Sequence, residues 1–405
     1  MTYRTGIPMR TLRAFACVSA SVAVALSLTS CGSSVAGSAT PAEIDVRKLD
    51  IGNYSPDPSN ILDKYIPLID SGRELAIMRL GDKIANGDEI DPSLIYNTGV
   101  AIDEPKDRHT LGDSKPFIEA LEQNGMLYGL QMHKRQRPDD APVVGDKLVN
   151  LTVYQFPDDN SAKAAADTFE SIDLAFAQDQ NQPVHLDKYP DARSHWRPGI
   201  RTMGSWIAVG HYMLEVFIRV PAPQLPDLTS FIQHIYDVQV PMLRSLPPLS
   251  KKEILHLPYD PEGMLRRTLD PQKIFMPDLL NYAYYTAHSA RNFTNPAGRA
   301  MMDLGKVDAA SQRVGVTMLW RSRDVDSARE MFEEMRRQAK GPVDPPSGIT
   351  SSYCDQGPAD SFDNGSRFRC VIRYDRYVAR LISNQLKDAQ QLAAAQYAVL
   401  ANSWQ

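Results

Sequence analysis

A strand followed by a helix, occurring twice, constrains this chain more than any other feature. In the first half, Leu148 to Phe156 (LVNLTVYQF) is a β-rich run. After Asp158 come apolar residues at helical spacing: Ala162, Ala165, Ala166, Phe169, Ile172 and Phe176. In the second half, Val314 to Trp320 (VGVTMLW) reads as the corresponding strand, and Asp324, Ala328, Met331, Phe332 and Met335 as the corresponding helix. Ser327 with Glu330 has the spacing of a capping box opening that second helix.

The parallel continues downstream. Trp206 to Val220 (WIAVGHYMLEVFIRV) reads as two strands around Gly210-His211, where glycine supplies a tight hairpin. Phe368 to Ile382 (FRCVIRYDRYVARLI) has the same outline, with Phe368, Cys370, Ile372 and Tyr374 alternating onto one face. A helix follows each: Pro226, Leu228, Phe231, Ile232 and Ile235 in one case, Leu386, Ala389, Ala393, Tyr397, Leu400 and Trp404 in the other. Both halves thus read strand, helix, hairpin, helix. That order predicts an α+β fold of two related domains, each an antiparallel sheet with helices on one face. Ser245 to Lys252 (SLPPLSKK), with adjacent prolines, is the linker candidate, giving an N-terminal domain over 49–247 and a C-terminal domain over 252–405. A further helix is expected near Arg73 to Ala85.

The N-terminus decides the compartment. Arg4, Arg10 and Arg13 precede an uncharged run, Ala14 to Leu28, and then small residues before Cys31. This is signal-peptide layout, and the run is shorter than the roughly 20 apolar residues of a membrane-spanning helix. Leu28-Thr29-Ser30-Cys31 followed by Gly32 resembles a bacterial lipoprotein box. The resemblance implies cleavage after residue 30, a diacylglyceryl group on the Cys31 sulfur, an acylated new amino terminus, and attachment to the extracytoplasmic face of the cell membrane. More than one acyl chain makes such an anchor durable. Residues 31–48, rich in Ser, Gly, Ala and Thr, read as a flexible stalk. The formal net charge of -5 gives no general attraction to anionic lipid or to nucleic acid.

Of the four cysteines, Cys17 lies in the leader and Cys31 at the anchor, which leaves Cys354 and Cys370 in an oxidising setting. A disulfide between them is expected. No His or second Cys pair stands nearby at metal-ligand spacing.

Several segments also resemble a family of actinobacterial lipoproteins, of mycobacterial and nocardial type, classed as a domain of unknown function. They are Leu49-Asp50-Ile51-Gly52-Asn53-Tyr54, the helix carrying Glu74 and Arg79, Glu89-Ile90-Asp91-Pro92, Tyr259-Asp260-Pro261-Glu262-Gly263, and the surroundings of Arg323-Asp324. The resemblance covers nearly the whole chain after the anchor and implies no known activity. The layout is also similar, as a pattern, to the extracytoplasmic sensor-like domains of mycobacterial kinases, an analogy of fold alone.

No HExxH, GxSxG, SxxK, GxxxxGK[ST] or EF-hand loop occurs, so no catalytic residue, metal or cofactor is assigned. Three clusters carry candidate chemistry. Tyr282, Tyr284 and His288 in NYAYYTAHSARNF could form an aromatic platform for a sugar or lipid headgroup, although packing is the commoner use of such residues. His133-Lys134-Arg135-Gln136-Arg137 could hold an anionic lipid or polysaccharide, but Asp139 and Asp140 follow at once and favour a solvated loop. His195-Trp196-Arg197 with His185 is a weak acid/base or metal candidate. The preferred function is a lipid-anchored envelope module binding a lipid, glycan or protein partner through a groove between its halves. The alternatives are a hydrolase with dispersed carboxylates and a structural scaffold. A groove lined by aliphatic side chains with few ionisable groups would favour binding, and facing carboxylates roughly 5–10 Å apart in a cleft would favour hydrolysis.

Overall fold

Two seven-stranded antiparallel sheets, one in each half, give the mixed α+β fold expected from the sequence. The computed structural model describes residues 44–60, 65–107, 115–138, 145–273, 276–313, 315–356 and 366–403. The expected leader, Cys31 and the stalk as far as position 43 lie outside the described residues, as does Trp404.

The first half begins with helices α1 (Ile69–Gly81) and α2 (Gly87–Ile90), then β1 (Tyr96–Ile102), α3 (Lys115–Gln123), β2 (Tyr128–Arg135) and β3 (Leu148–Gln155). Next come α4 (Asp159–Ala175), β4 (Gln182–Pro183), β5 (Arg193–Trp196), the hairpin β6 (Thr202–Val209) and β7 (Tyr212–Arg219), α5 (Leu225–Arg244) and α6 (Lys251–Leu255). The second half runs β8 (Tyr282–Thr286), α7 (Ala287–Asn292), α8 (Pro296–Leu304), β9 (Val307–Arg313), β10 (Thr317–Ser322) and α9 (Val325–Arg337). It closes with β11 (Pro342–Val343), β12 (Ser352–Asp355), the hairpin β13 (Phe368–Tyr374) and β14 (Tyr377–Ser383), and α10 (Leu386–Asn402). Strand order is β1-β2-β3-β7-β6-β5-β4 in one sheet and β8-β9-β10-β14-β13-β12-β11 in the other, the same path traced twice. Each sheet ends in a two-residue strand containing a proline, Pro183 or Pro342.

Helices cover both faces of each sheet, where one covered face was expected. Val149, Leu151 and Val153 of β3 pack in the core that includes Leu228, Ile232 and Ile235 of α5. The neighbouring Tyr154 and Phe156 pack with Ala162, Ala165 and Phe169 of α4. In the second sheet Cys370 and Ile372 meet α10 through Leu392 and Val399, while Val371 and Val378 join Met331 and Phe332 of α9. Strands with apolar residues at successive positions have two faces to bury.

Local boundaries moved for identifiable reasons. Helix α9 starts earlier than the Ser327 box implied, because the Asp324 carboxylate accepts from the Ser327 amide at 2.8 Å; Asp158 does the same for Ser161 at 2.9 Å. Part of the run read as a strand from Val314 is a turn, with Gly315 at φ 72, and the strand starts at Thr317. Helix α1 covers 69–81 instead of 73–85, and beyond its end the Ala85 amide donates to Gln239 Oε1 of α5 at 2.9 Å. Gly210, at φ 59, makes the first hairpin turn as anticipated.

The division between the halves is also less simple than a linker. Ser250 and Glu253 form a capping box on α6 within the expected spacer. The Ile254 carbonyl approaches α1 so closely that a Cβ on Gly72 would lie 2.4 Å from it. Residues 44–60, assigned from sequence to the stalk and the N-terminal domain, lie on the second half. Ile44 and Val46 pack with Leu49, Ile349 and Ala394, the Tyr54 hydroxyl donates to Asp388 at 2.5 Å, and Asn402 donates to the Pro56 carbonyl at 2.8 Å. Ile44–Gln405 is one compact unit.

Candidate functional site

A concavity on the second sheet is built by strand alternation. Gln312 of β9, Met318 of β10 and Arg380 of β14 are register partners, and the same rung continues through Val371 to Tyr353. Because side chains alternate, the intervening Leu319, Ala379 and Leu381 turn to the opposite core with α10. On the groove side, α9 contributes Met331 and Met335 one turn apart, α8 contributes Met301, and Phe293 enters from the α7–α8 connection. The edge strand β1 of the first sheet closes one side with Asn97, Thr98 and Gly99. Gly99 is required there, since an added Cβ would lie 2.6 Å from the Phe293 ring and 2.5 Å from Met132 Sδ. The enclosed space is about 600 Å³, within the roughly 300–1,000 Å³ range of small-molecule sites.

Four cationic residues line the groove, Arg313, Lys340, Arg369 and Arg380, and among the described lining residues there is no carboxylate. Arg369 is held by the buried Asp355 at 2.6 and 3.0 Å. The Lys340 amide donates to the same carboxylate at 3.1 Å. The Arg380 guanidinium lies over the Trp320 ring, 6.0 Å from its centroid. Arg313 is different: its side chain is 1% exposed, lies 4.0 Å from Asp270, and stands over the Tyr282 ring at 5.2 Å.

The aromatic platform suggested by the sequence is divided. Tyr282 and Tyr284 lie on one face of β8, while Tyr285, on the other, lines the groove, its hydroxyl accepting from Gln312 at 2.9 Å. Tyr282 donates to Gln272 at 2.7 Å. Tyr284 is half-buried among core residues, and that burial pushes its hydroxyl up to about 12. His288 is on α7, where it pairs with Glu89 of α2 at 3.0 Å.

The basic cluster is not a solvated loop over its first part. His133, Lys134 and Arg135 belong to β2, and Lys134 is fully buried. Its Nζ donates to Asn292 at 2.8 Å across the junction of the halves. Burial, followed by the Arg299 charge, lowers its pKa to about 7. His195 is buried on β5, 3.3 Å from Asp173 and 3.5 Å from Glu170, and it stacks on Trp206. Among the described residues no group of three or more His, Cys, Asp or Glu is arranged to hold a metal ion.

A carboxyl pair stands at the junction. Glu74 of α1 accepts from the Leu279 amide at 2.8 Å and interacts with the carboxyl of Asp103. Burial first, and then the Asp103 charge, pushes Glu74 up to about 8, and burial raises Asp103 as well, so the pair keeps a proton that exposed carboxyls would have lost. Neither residue lines the groove. The disulfide is formed as expected: Cys354 and Cys370 are direct partners on β12 and β13.

Two family models cover most of the chain: the N-terminal part of a domain of unknown function (DUF7373) over residues 64–259, and its C-terminal part over 264–403. The chain belongs to the DUF7373 family. The division of that family falls between 259 and 264, after α6 and beyond the Pro-Pro segment read as a linker. A search of curated proteins returned no match. The expectation of a two-part family without a known activity therefore holds for this DUF7373 chain.

Proposed function

We propose that this DUF7373 protein is a lipid-anchored binding module on the extracytoplasmic face of the cell membrane, and that its ligand occupies the groove over β9, β10 and β14. The observation that carries the reading is the groove floor. A sulfur-rich and aromatic surface made by Met301, Met318, Met331, Met335, Phe293 and Trp320 encloses ligand-sized space without a carboxylate among its described lining residues. The anchored location is supported by the Arg-led apolar run ending at Cys31 and by a disulfide of the kind extracytoplasmic proteins keep. Among the described residues no helix is long and apolar enough to cross a membrane.

Native membrane extraction followed by mass analysis tests both parts. A chain beginning at an acylated Cys31 and carrying a co-purifying small molecule is expected, and Cys31→Ala should leave an unacylated product in the aqueous phase. An unmodified chain starting upstream of Cys31 would overturn the anchor. A groove that stays empty across extraction conditions, with no ligand retained after exposure to envelope extract, would overturn the binding role.

A further inference from the structure

We infer that the groove takes a single-chain amphiphile with an anionic head, its acyl chain over the methionine floor and its head at the β12–β13 end; this deepens the binding reading and rests on it. The argument is the segregation of charge along the groove. Two of the cations whose side chains serve it stand at one end, and a third, Arg380, reaches from the middle of the rung over the Trp320 ring. Arg369 is on β13, Lys340 is tied through its amide to Arg369's partner Asp355, and Arg380 is the next residue along the rung after Val371. Arg313, at the other end, is turned into the core against Asp270 and Tyr282. Beyond Arg380 the rung passes to Met318, and the walls become Tyr285, Phe293 and Met301.

A chain with more acidic than basic residues nevertheless lines this apolar trough with Arg369, Lys340 and Arg380 and with no carboxylate among the described lining residues, Asp355 being buried behind Arg369. Each methylene of an acyl chain buried on the floor adds affinity, and charge-assisted contacts to guanidinium and ammonium groups fix the orientation of the head. Asp355 lies behind Arg369 and holds its guanidinium in place, so the head meets a preset donor. A neutral apolar ligand would gain the floor alone.

Displacement of a fluorescent long-chain fatty acid from the full chain carrying Cys31→Ala, which removes the acyl anchor as a competitor, separates these terms. Palmitate should compete at least tenfold better than hexadecanol, about 1.4 kcal/mol. Lys340→Glu, an exposed change that spares the core, should shrink that gap. Met335→Trp, confirmed folded by its melting temperature, should weaken both competitors by filling the trough. Equal affinity of acid and alcohol, or an unchanged gap in Lys340→Glu, would overturn the anionic-head inference and leave the binding reading standing. Failure of both to compete, or indifference to Met335→Trp, would remove the groove as the site and the binding reading with it.

Discussion

Single ionisable groups at the junction of the halves make stability depend on pH. In the folded chain Glu74 titrates at about 8, against 4.5 for an exposed glutamate. Between those values the native state holds a proton that the unfolded chain has released. The stabilisation is therefore complete below about 4.5 and is lost as pH rises through 8. Glu74→Gln keeps a neutral group that can still accept from Leu279 and donate to Asp103. It should leave stability at pH 5 nearly unchanged and raise it near pH 9 by on the order of 2 kcal/mol. Urea denaturation at the two values checks this, and equal pH dependence in variant and parent would refute the shared proton. Nothing in the sequence marks Glu74 or Lys134 as buried, since their partners Asp103 and Asn292 lie about 29 and 158 positions away. Charge beside Asp139 and Asp140 reads as surface, whereas Lys134 is a strand position facing inward.

At the scale of elements, what was legible is what local chemistry dictates. Strand β3, helices α4 and α5, and both hairpins were evident because apolar periodicity, Asp158, Pro226 and Gly210 act within a few residues. Strand β9, with the sequence VDAASQR, was missed, because it owes its place to β8 and β10 rather than to its own pattern. The groove was hidden for a related reason. Met331 and Met335 read as an ordinary core stripe, and only the rung from Gln312 to Tyr353 turns that stripe into a wall. The matching caps give a direct test of the duplication. Asp158→Ala and Asp324→Ala should each cost about 1 kcal/mol, by equilibrium unfolding, and a cost confined to one of them would show the starts of α4 and α9 to be unlike. The Cys354–Cys370 bridge, with a sequence separation of 16, should contribute about 3 kcal/mol. Cys354→Ser with Cys370→Ser should reveal that difference under non-reducing conditions.

At the scale of the whole molecule, the two family segments lie within one compact unit. Helix α1 packs on β2 of the first sheet and on β8 and α7 of the second. Asp88 of the first half pairs with Arg291 at 3.0 Å and lies 3.6 Å from the almost fully buried Arg299. Calorimetry should therefore give a single endotherm. Asp88→Ala, which strips Arg299 of that partner, should lower its midpoint, at a cost on the order of 2 kcal/mol; two separate endotherms in the parent would refute the shared core.

The short final strands have a consequence for life at high local density. Pro183 and Pro342 occupy matching outer positions, and a proline there offers no amide to an incoming backbone. Along those two edges an approaching copy thus meets a blunt rim in place of a template.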